Sequence, residues 1–294
     1  MRKALYTFLS GMAIGAADLV PGISGGTIAF IIGIYYRLLA SIQAFDTVFL
    51  RLLMTGRFRG ALGRIPWPFL LPLGAGVACS IFGLARGVTF LLDSYPIVVW
   101  SFFFGLIVSS LFIIGRSIPF KGARNVLPFL AGFCLAWALA GANTFSVEPS
   151  LPIYFCSAFL AVCALILPGI SGASILVLLG QYRHIIQAVA DLDWTVLAVF
   201  ATGCLCGLLS FARVVSAFLK RFPIGGTSLL IGMMLGSLRI VWPWQANGYP
   251  SLPQSLDATV VIALFCCLAG AVLPLALQAF SARKPRAAQS AEKP

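Results

Sequence analysis

One short pattern, Pro-Gly-Ile-Ser-Gly, occurs twice in the chain, at 21–25 and at 168–172. Proline and glycine break helices, whereas a serine behind them can accept a hydrogen bond from the first free N–H groups of a new helix. Glycines also let a ligand approach the backbone, and free N–H groups at a helix start attract anions. The pattern therefore predicts paired anion-binding sites, although a purely structural kink is the alternative. We assign as substrate-binding residues Ser24, Gly25, Gly26, Thr27, Ser171, Gly172 and Ser174.

Two arginines and one aspartate are the charged residues expected to act with these breaks. Arg86 and Arg213 each follow an alanine in a long apolar segment, and we assign both to substrate binding. An arginine at membrane depth needs a partner, and its planar guanidinium suits phosphate, although snorkelling to headgroups is the alternative. Asp18 precedes the first break and aligns with Leu165 in the second copy. It is a candidate for binding a coupling ion, for pairing with an arginine, or for a plain helix-end role.

The composition is that of a membrane protein. Of the 294 residues, 60% are hydrophobic. Only 10% are charged, whereas a soluble domain carries about 25% charged residues. The net charge of +12 indicates basic cytoplasmic loops in such a chain, and we expect no nucleic-acid partner. The eight cysteines form no Cys-x-x-Cys pair and there is one histidine, so the sequence predicts no metal, no cofactor and no disulfide framework.

The chain is interpreted as a duplication. Segments 21–35 and 168–182 share eight of 15 positions. Farther along, the offset between the copies shortens by 20 residues, and Gly76 aligns with Gly203. The first copy has the longer polar loop, at 37–65, which accounts for the change of offset. Chance similarity between apolar segments explains neither the shared prolines nor the paired arginines.

The predicted fold is an all-α polytopic membrane protein with two inverted-topology repeats, each a re-entrant helical hairpin plus three transmembrane helices. The arm 4–20 forms about 25 Å of helix, which is short for a hydrocarbon core of about 30 Å and favours re-entry over two full crossings. The first repeat, 1–146, has a hairpin at 4–36 and spans at 67–92, 96–115 and 126–142. The second repeat, 147–282, has a hairpin at 151–182 and spans at 194–219, 223–242 and 257–280. Residues 283–294 are expected to form a disordered cytoplasmic tail.

Orientation follows from the number of crossings and from charge. Three crossings separate the two hairpins, so the second repeat must be upside-down relative to the first. With the N-terminus inside, the cytoplasmic segments carry 16 of the 20 lysines and arginines, as the positive-inside rule requires. Both termini are therefore expected in the cytoplasm. The basic and apolar N-terminus is also typical of a signal peptide, but a similar run at 151–167 precedes the second break, which favours a membrane arm.

The segments GAADLVPGISGGT and LPGISGAS resemble the PopT-type family of polyprenyl-phosphate transporters, formerly a membrane family of unknown function. The resemblance covers nearly the whole chain. It implies flipping of undecaprenyl phosphate across the bacterial cytoplasmic membrane, which returns the carrier lipid for cell-envelope synthesis. The glycine-serine motifs carry over to both breaks of this chain. Ala173 stands where the first copy has Gly26, so the second site would approach phosphate less closely.

We therefore expect a lipid flippase without catalytic residues, whose partners are a polyprenyl phosphate, membrane lipids, and a proton or sodium ion. Coupling is expected because moving an anion inward opposes a negative-inside potential by about 2.3 kcal/mol per charge per 100 mV. The alternative is a secondary transporter of a small soluble anion. A membrane enzyme such as a lipid phosphatase is disfavoured by the single histidine and by the lack of metal-ligand spacing.

Overall fold

The fold of the protein, taken from a computed structural model, is described for residues 2–20, 22–116, 122–145, 147–246, 249–253 and 255–282. These ranges are mostly helical, which confirms the all-α prediction. The helices are α1 Arg2–Asp18, α2 Gly25–Ile32, α3 Tyr35–Gln43, α4 Thr47–Met54, α5 Phe58–Gly63, α6 Trp67–Ser94, α7 Pro96–Gly115, α8 Ala123–Ala140, α9 Leu151–Ile166, α10 Gly172–Leu178, α11 Tyr182–Ala190, α12 Trp194–Arg221, α13 Pro223–Val241 and α14 Ala258–Ala282. A short antiparallel ladder joins β1 (Gln245–Ala246) to β2 (Tyr249–Pro250). The predicted tail, 283–294, lies outside the described residues.

Long apolar helices make this an integral membrane protein. Among the described helices, α6, α7, α12, α13 and α14 are long and apolar enough to cross a membrane, whereas the apolar part of α8, Arg124–Ala140, is shorter. The bounds of these six helices lie within three residues of those predicted for the six spans, and the crossing of the membrane by α8 stays a prediction. Pro96 and Pro223 begin α7 and α13, where a missing N–H group costs nothing.

Each hairpin consists of a longer arm, a break and a short helix. The first is formed by α1 and α2, and the second by α9 and α10. After Ile32 the chain turns by 115° into the next helix. The core lies around the breaks and the middle of α13, where Ile23, Ala29, Met233 and Met234 are almost fully buried. Re-entry of the hairpins into the membrane stays a prediction.

The same helix contacts recur in the two halves. Helix α1 packs on α6 as α9 packs on α12, and α7 packs on α14 as α13 packs on α8. Gly76 leaves no room for a side chain against the carbonyl group of Phe8, and Gly203 leaves none against that of Phe155. The two glycines are aligned with each other in the sequence, and so are the two phenylalanines. Close backbone packing is therefore duplicated along with the sequence.

The polar segment 37–65, to which the sequence analysis assigned no element, forms α3, α4 and α5. Asp46 begins α4 by accepting a hydrogen bond from the N–H of Phe49 at 2.8 Å. The same carboxylate pairs with Arg64 at 2.7 Å. These local contacts stabilise short helices that hydrophobic periodicity alone does not reveal.

Candidate functional site

The first break places a capped helix start in the protein interior. Ser24 has extended backbone angles (φ −108°, ψ 132°), and its Oγ accepts a hydrogen bond from the N–H of Gly26 at 3.1 Å. The Oδ1 of Asp18 accepts a hydrogen bond from the N–H of Gly25 at 2.6 Å. Ser24 therefore caps α2, and the carboxylate of Asp18 lies where an external anion would bind.

Asp18 accordingly has the helix-end role that was one of its three predicted roles. Among the residues that the structure describes, it forms no ion pair, so the contacts do not include the arginine partner considered for it. Its role as the site of a coupling ion stays a prediction. The second break has the apolar Leu165 at the aligned position, so only the first hairpin has this carboxylate.

The second break contacts the first through two hydrogen bonds. The Oγ of Ser24 donates to the carbonyl oxygen of Leu165 at 3.0 Å, and the N–H of Gly169 donates to the Oγ1 of Thr27 at 2.8 Å. Ser24 and Thr27 are each 1% exposed, so water does not compete for these bonds. A methyl group at Gly26 would lie only 2.7 Å from the carbonyl oxygen of Leu165, which explains the glycine at this position.

The second break differs from the first in how its helix begins. Ser171 has nearly the same backbone angles as Ser24 (φ −96°, ψ 134°), but its side chain makes no capping hydrogen bond. The expected cap is therefore wrong for the second copy. Gly172 is buried, whereas Ser174 is half-buried. Ala173 and Ser174 border a cavity, so the start of α10 is not confined to a dry interior that would require a cap.

That cavity has a volume of about 620 Å³ and lies between the first break and α10. Its polar lining includes Asp18, Ser174, Tyr182, Arg239 and Gln245. Gly22 and Ser174 both line it, and they align with Gly169 and Thr27, which are hydrogen-bonded to each other. The contact between Gly169 and Thr27 is thus closed by a hydrogen bond. The aligned pair, Gly22 and Ser174, is separated by the cavity and forms the open contact.

Arg239 is the arginine of the cavity, and it lies in the last turn of α13. Its Nη1 donates to the carbonyl oxygen of Trp137 at 3.2 Å. The guanidinium carbon lies 5.0 Å from the ring centroid of Trp137 and 5.6 Å from that of Tyr249. Its Nε is buried and has no hydrogen-bond partner among the described residues. Two rings and one carbonyl therefore fix the position of a guanidinium that still has donors to offer.

The two predicted arginines lie outside this cavity. The Nη2 of Arg213 donates to the carbonyl oxygen of Phe45 at 3.0 Å, between α3 and α4. Arg86 is exposed on α6 and makes no hydrogen bond or ion pair with any residue that the structure describes. The structure therefore brings Asp18 and Ser174 together with Arg239. The roles of Arg86 and Arg213 in substrate binding stay predictions.

Comparison with known proteins gives the family of this chain. A family model described as undecaprenyl phosphate translocase-like matches residues 14–256, which include both breaks and the cavity. The chain belongs to the undecaprenyl phosphate translocase-like family. This finding agrees with the resemblance to PopT-type polyprenyl-phosphate transporters.

Two curated relatives support membership of the translocase-like family. A polyprenyl-phosphate transporter of Vibrio cholerae serotype O1 is 42% identical over 241 residues, which are 82% of this chain and 78% of the relative. A polyprenyl-phosphate transporter of Staphylococcus aureus is 28% identical over 256 residues, which are 80% of this chain and 85% of the relative. No solved structure matches this chain.

Arg239 lines the cavity of this translocase-like protein but is not among the site residues predicted from the sequence. Duplication does not reveal this arginine, because Arg239 aligns with Phe112 in the first half. The signal that could have found it is a charged residue inside the predicted span 223–242, because ionisable side chains in spans are costly and usually functional. Its aromatic neighbours Trp137 and Tyr249 come from distant parts of the chain, so only the fold reveals them.

Proposed function

We propose that the protein moves a polyprenyl phosphate, such as undecaprenyl phosphate, across the bacterial cytoplasmic membrane and so returns the carrier lipid for cell-envelope synthesis. The observation that carries the proposal is the meeting of the two broken helices, through Ser24 with Leu165 and Thr27 with Gly169. Broken helices that meet at membrane depth are how many transporters form a substrate site. The names of the two relatives supply the substrate class.

The proposed architecture is a pair of inverted repeats. Equivalent contacts at Gly76 and Gly203 support two related halves. The positive-inside rule supports the inversion, because only Arg86, Arg183, Arg213 and Arg239 among the 20 basic residues fall outside the segments assigned to the cytoplasm. In this orientation both termini are cytoplasmic, and the cavity at Arg239 faces the outer side of the membrane.

A lipid substrate is favoured over a small soluble anion by a second cavity. This cavity, of about 350 Å³, is lined mainly by apolar side chains of α1, α2, α7 and α14. Ile28 and Ile32 of α2 form part of its wall, and α2 is the helix that begins at the first break. A hydrocarbon chain suits this lining, and a hydrated anion does not. The phosphate and the tail of one lipid would then bind on either side of the same hairpin.

Asp18 is the proposed site of the coupling ion. Its carboxylate lines the cavity at Arg239 and would repel a phosphate bound there. A proton or a sodium ion at Asp18 would remove that repulsion, so the ion and the phosphate would bind together. Their joint movement offsets the charge that opposes inward transport of the anion.

The test uses purified protein in liposomes that contain fluorescent undecaprenyl phosphate. The wild type is expected to change the accessibility of this lipid in the outer leaflet faster than empty liposomes do. Ser171→Ala, Arg86→Ala and Arg213→Ala test the predicted sites in the same assay. No flipping above empty liposomes, under an imposed proton or sodium gradient, would favour a transporter of a soluble anion. Release of free phosphate from the lipid would instead indicate an enzyme.

A further inference from the structure

We propose that Arg239 binds the phosphomonoester in the cavity between the first break and α10, together with the hydroxyl of Ser174. This inference rests on the proposed function. The positive charge that contacts the substrate would come from Arg239, whose aligned residue in the first half is Phe112. It would give the outward-facing cavity a phosphate site that has no counterpart in the first half.

The geometry of Arg239 favours an anionic ligand. Arg239 is half-buried, and the donors of a guanidinium at membrane depth need hydrogen-bond acceptors. The described residues supply one carbonyl oxygen, that of Trp137, to Nη1, and they supply no acceptor to Nη2. The rings of Trp137 and Tyr249 keep the guanidinium in place without using its donors. A phosphate oxygen would supply the acceptors that the protein does not.

No carboxylate of the described residues forms an ion pair with Arg239, so its charge is left for a ligand. Asp18 is the acidic side chain that lines the cavity, and its Oδ1 is already bonded to the N–H of Gly25. Ser174 aligns with Thr27, whose hydroxyl oxygen accepts a hydrogen bond from the N–H of Gly169 in the closed contact between the hairpins. In the open cavity the Ser174 hydroxyl is available to donate to a ligand oxygen. The volume of about 620 Å³ also accommodates a phosphate with several waters.

Binding is measured on the full-length protein in detergent with farnesyl monophosphate as the probe. Farnesol is the phosphate-free comparison, and inorganic phosphate is the tail-free one. Arg239→Ala is expected to weaken binding of farnesyl monophosphate by about tenfold to a hundredfold, as expected when charged hydrogen bonds are lost. The affinity of Arg239→Lys for farnesyl monophosphate is expected to lie between those of the wild type and Arg239→Ala, because lysine keeps the charge but lacks the planar guanidinium. Binding of farnesol should be equal in all variants.

Arg183→Ala is the matched control, because it removes the same charge from an exposed position on α11 outside the cavity. Its affinity for farnesyl monophosphate should equal that of the wild type. Equal farnesol binding by Arg239→Ala and the wild type also shows that the variant is folded. An affinity of Arg239→Ala for farnesyl monophosphate within twofold of the wild type would overturn the inference.

The outcomes separate this inference from the proposed function. If the wild type flips undecaprenyl phosphate and Arg239→Ala binds farnesyl monophosphate normally, only the inference fails. If Arg239 is required for binding but inorganic phosphate binds as tightly as farnesyl monophosphate, the site takes a soluble anion and the proposed lipid function fails. Weak binding of inorganic phosphate, together with the loss in Arg239→Ala, supports both.

Discussion

The two hairpins share a sequence pattern but differ in how tightly their second arms are packed. In the first hairpin Phe30 and Tyr35 are 7% and 2% exposed, whereas the aligned Val177 and Tyr182 are 48% and 40% exposed. The first break is satisfied by its own side chains, Asp18 and Ser24, and the second lacks a side-chain cap. The start of α2 is therefore closed by its own side chains, whereas the start of α10 borders the cavity, which Asp18 and Gly22 line from the other side.

This difference shows that a duplicated motif need not give two equal sites. The N–H groups of α2 already have partners, so an anion could bind there only by displacing Asp18. The start of α10 has no such competitor in the aligned position, and Arg239 lines the cavity beside it. In this conformation the second hairpin is the better placed for a phosphate.

Gly26→Ala should have the largest effect on this comparison. A methyl group there would lie 2.7 Å from the carbonyl oxygen of Leu165 and 3.0 Å from that of Ile166, and backbone atoms do not move cheaply. We expect loss of lipid flipping and a lower thermal unfolding temperature, since overpacking costs about 1–3 kcal/mol. Ala173→Gly changes the aligned position of the second hairpin and serves as the control. Flipping by Gly26→Ala at the wild-type rate would show that the hairpin contact is not needed.

Asp18→Asn tests the charge that only the first hairpin has. The amide oxygen can still accept from the N–H of Gly25, so the helix start is kept while the charge is removed. We expect flipping without a gradient to continue and acceleration by a proton or sodium gradient to disappear. One coupled charge at 100 mV corresponds to about 2.3 kcal/mol, or about fiftyfold in accumulation. A gradient that still accelerates flipping by Asp18→Asn would place the coupling ion elsewhere.

A third comparison removes the hydroxyl group at the aligned positions of the two hairpins, Thr27 and Ser174. Thr27→Val leaves the buried N–H of Gly169 without its acceptor, which should lower stability by about 1–3 kcal/mol. Ser174→Ala should change stability by less than about 0.5 kcal/mol, because Ser174 borders a cavity, but it should slow flipping. Unfolding in denaturant and flipping are measured on the same preparations, with Thr27→Ser as the control that keeps the hydroxyl. Equal losses of stability at both positions would contradict the difference between the hairpins.

The sequence was sufficient for the parts of the fold that local chemistry determines. Proline and serine positions predicted where the helices begin, and the alignment of Gly76 with Gly203 indicated the duplication, whereas the close backbone packing at these two glycines is seen only in the structure. It could not predict that Arg213 contacts the carbonyl group of Phe45, because that turn forms only when α3 and α4 fold. Nor could it distinguish the closed contact from the open one, because aligned residues form both.

The smallest expected effect concerns α4, which belongs to the segment that is longer in the first half. The N–H of Phe49 and the charge of Arg64 lower the pKa of Asp46, which lies outside the membrane spans. Because the pKa is lower in the folded protein, the stabilisation is present above the unfolded pKa of about 3.9 and is lost as the pH falls through the folded value. Asp46→Asn should therefore unfold at a slightly lower temperature than the wild type at pH 7, and the difference should shrink as the pH is lowered below about 3.9. Glu148→Gln, a change of an exposed carboxylate, is the control and should unfold at the wild-type temperature at pH 7. A difference in unfolding temperature between Asp46→Asn and the wild type that does not shrink on acidification would show that the stabilisation does not depend on the ionised carboxylate.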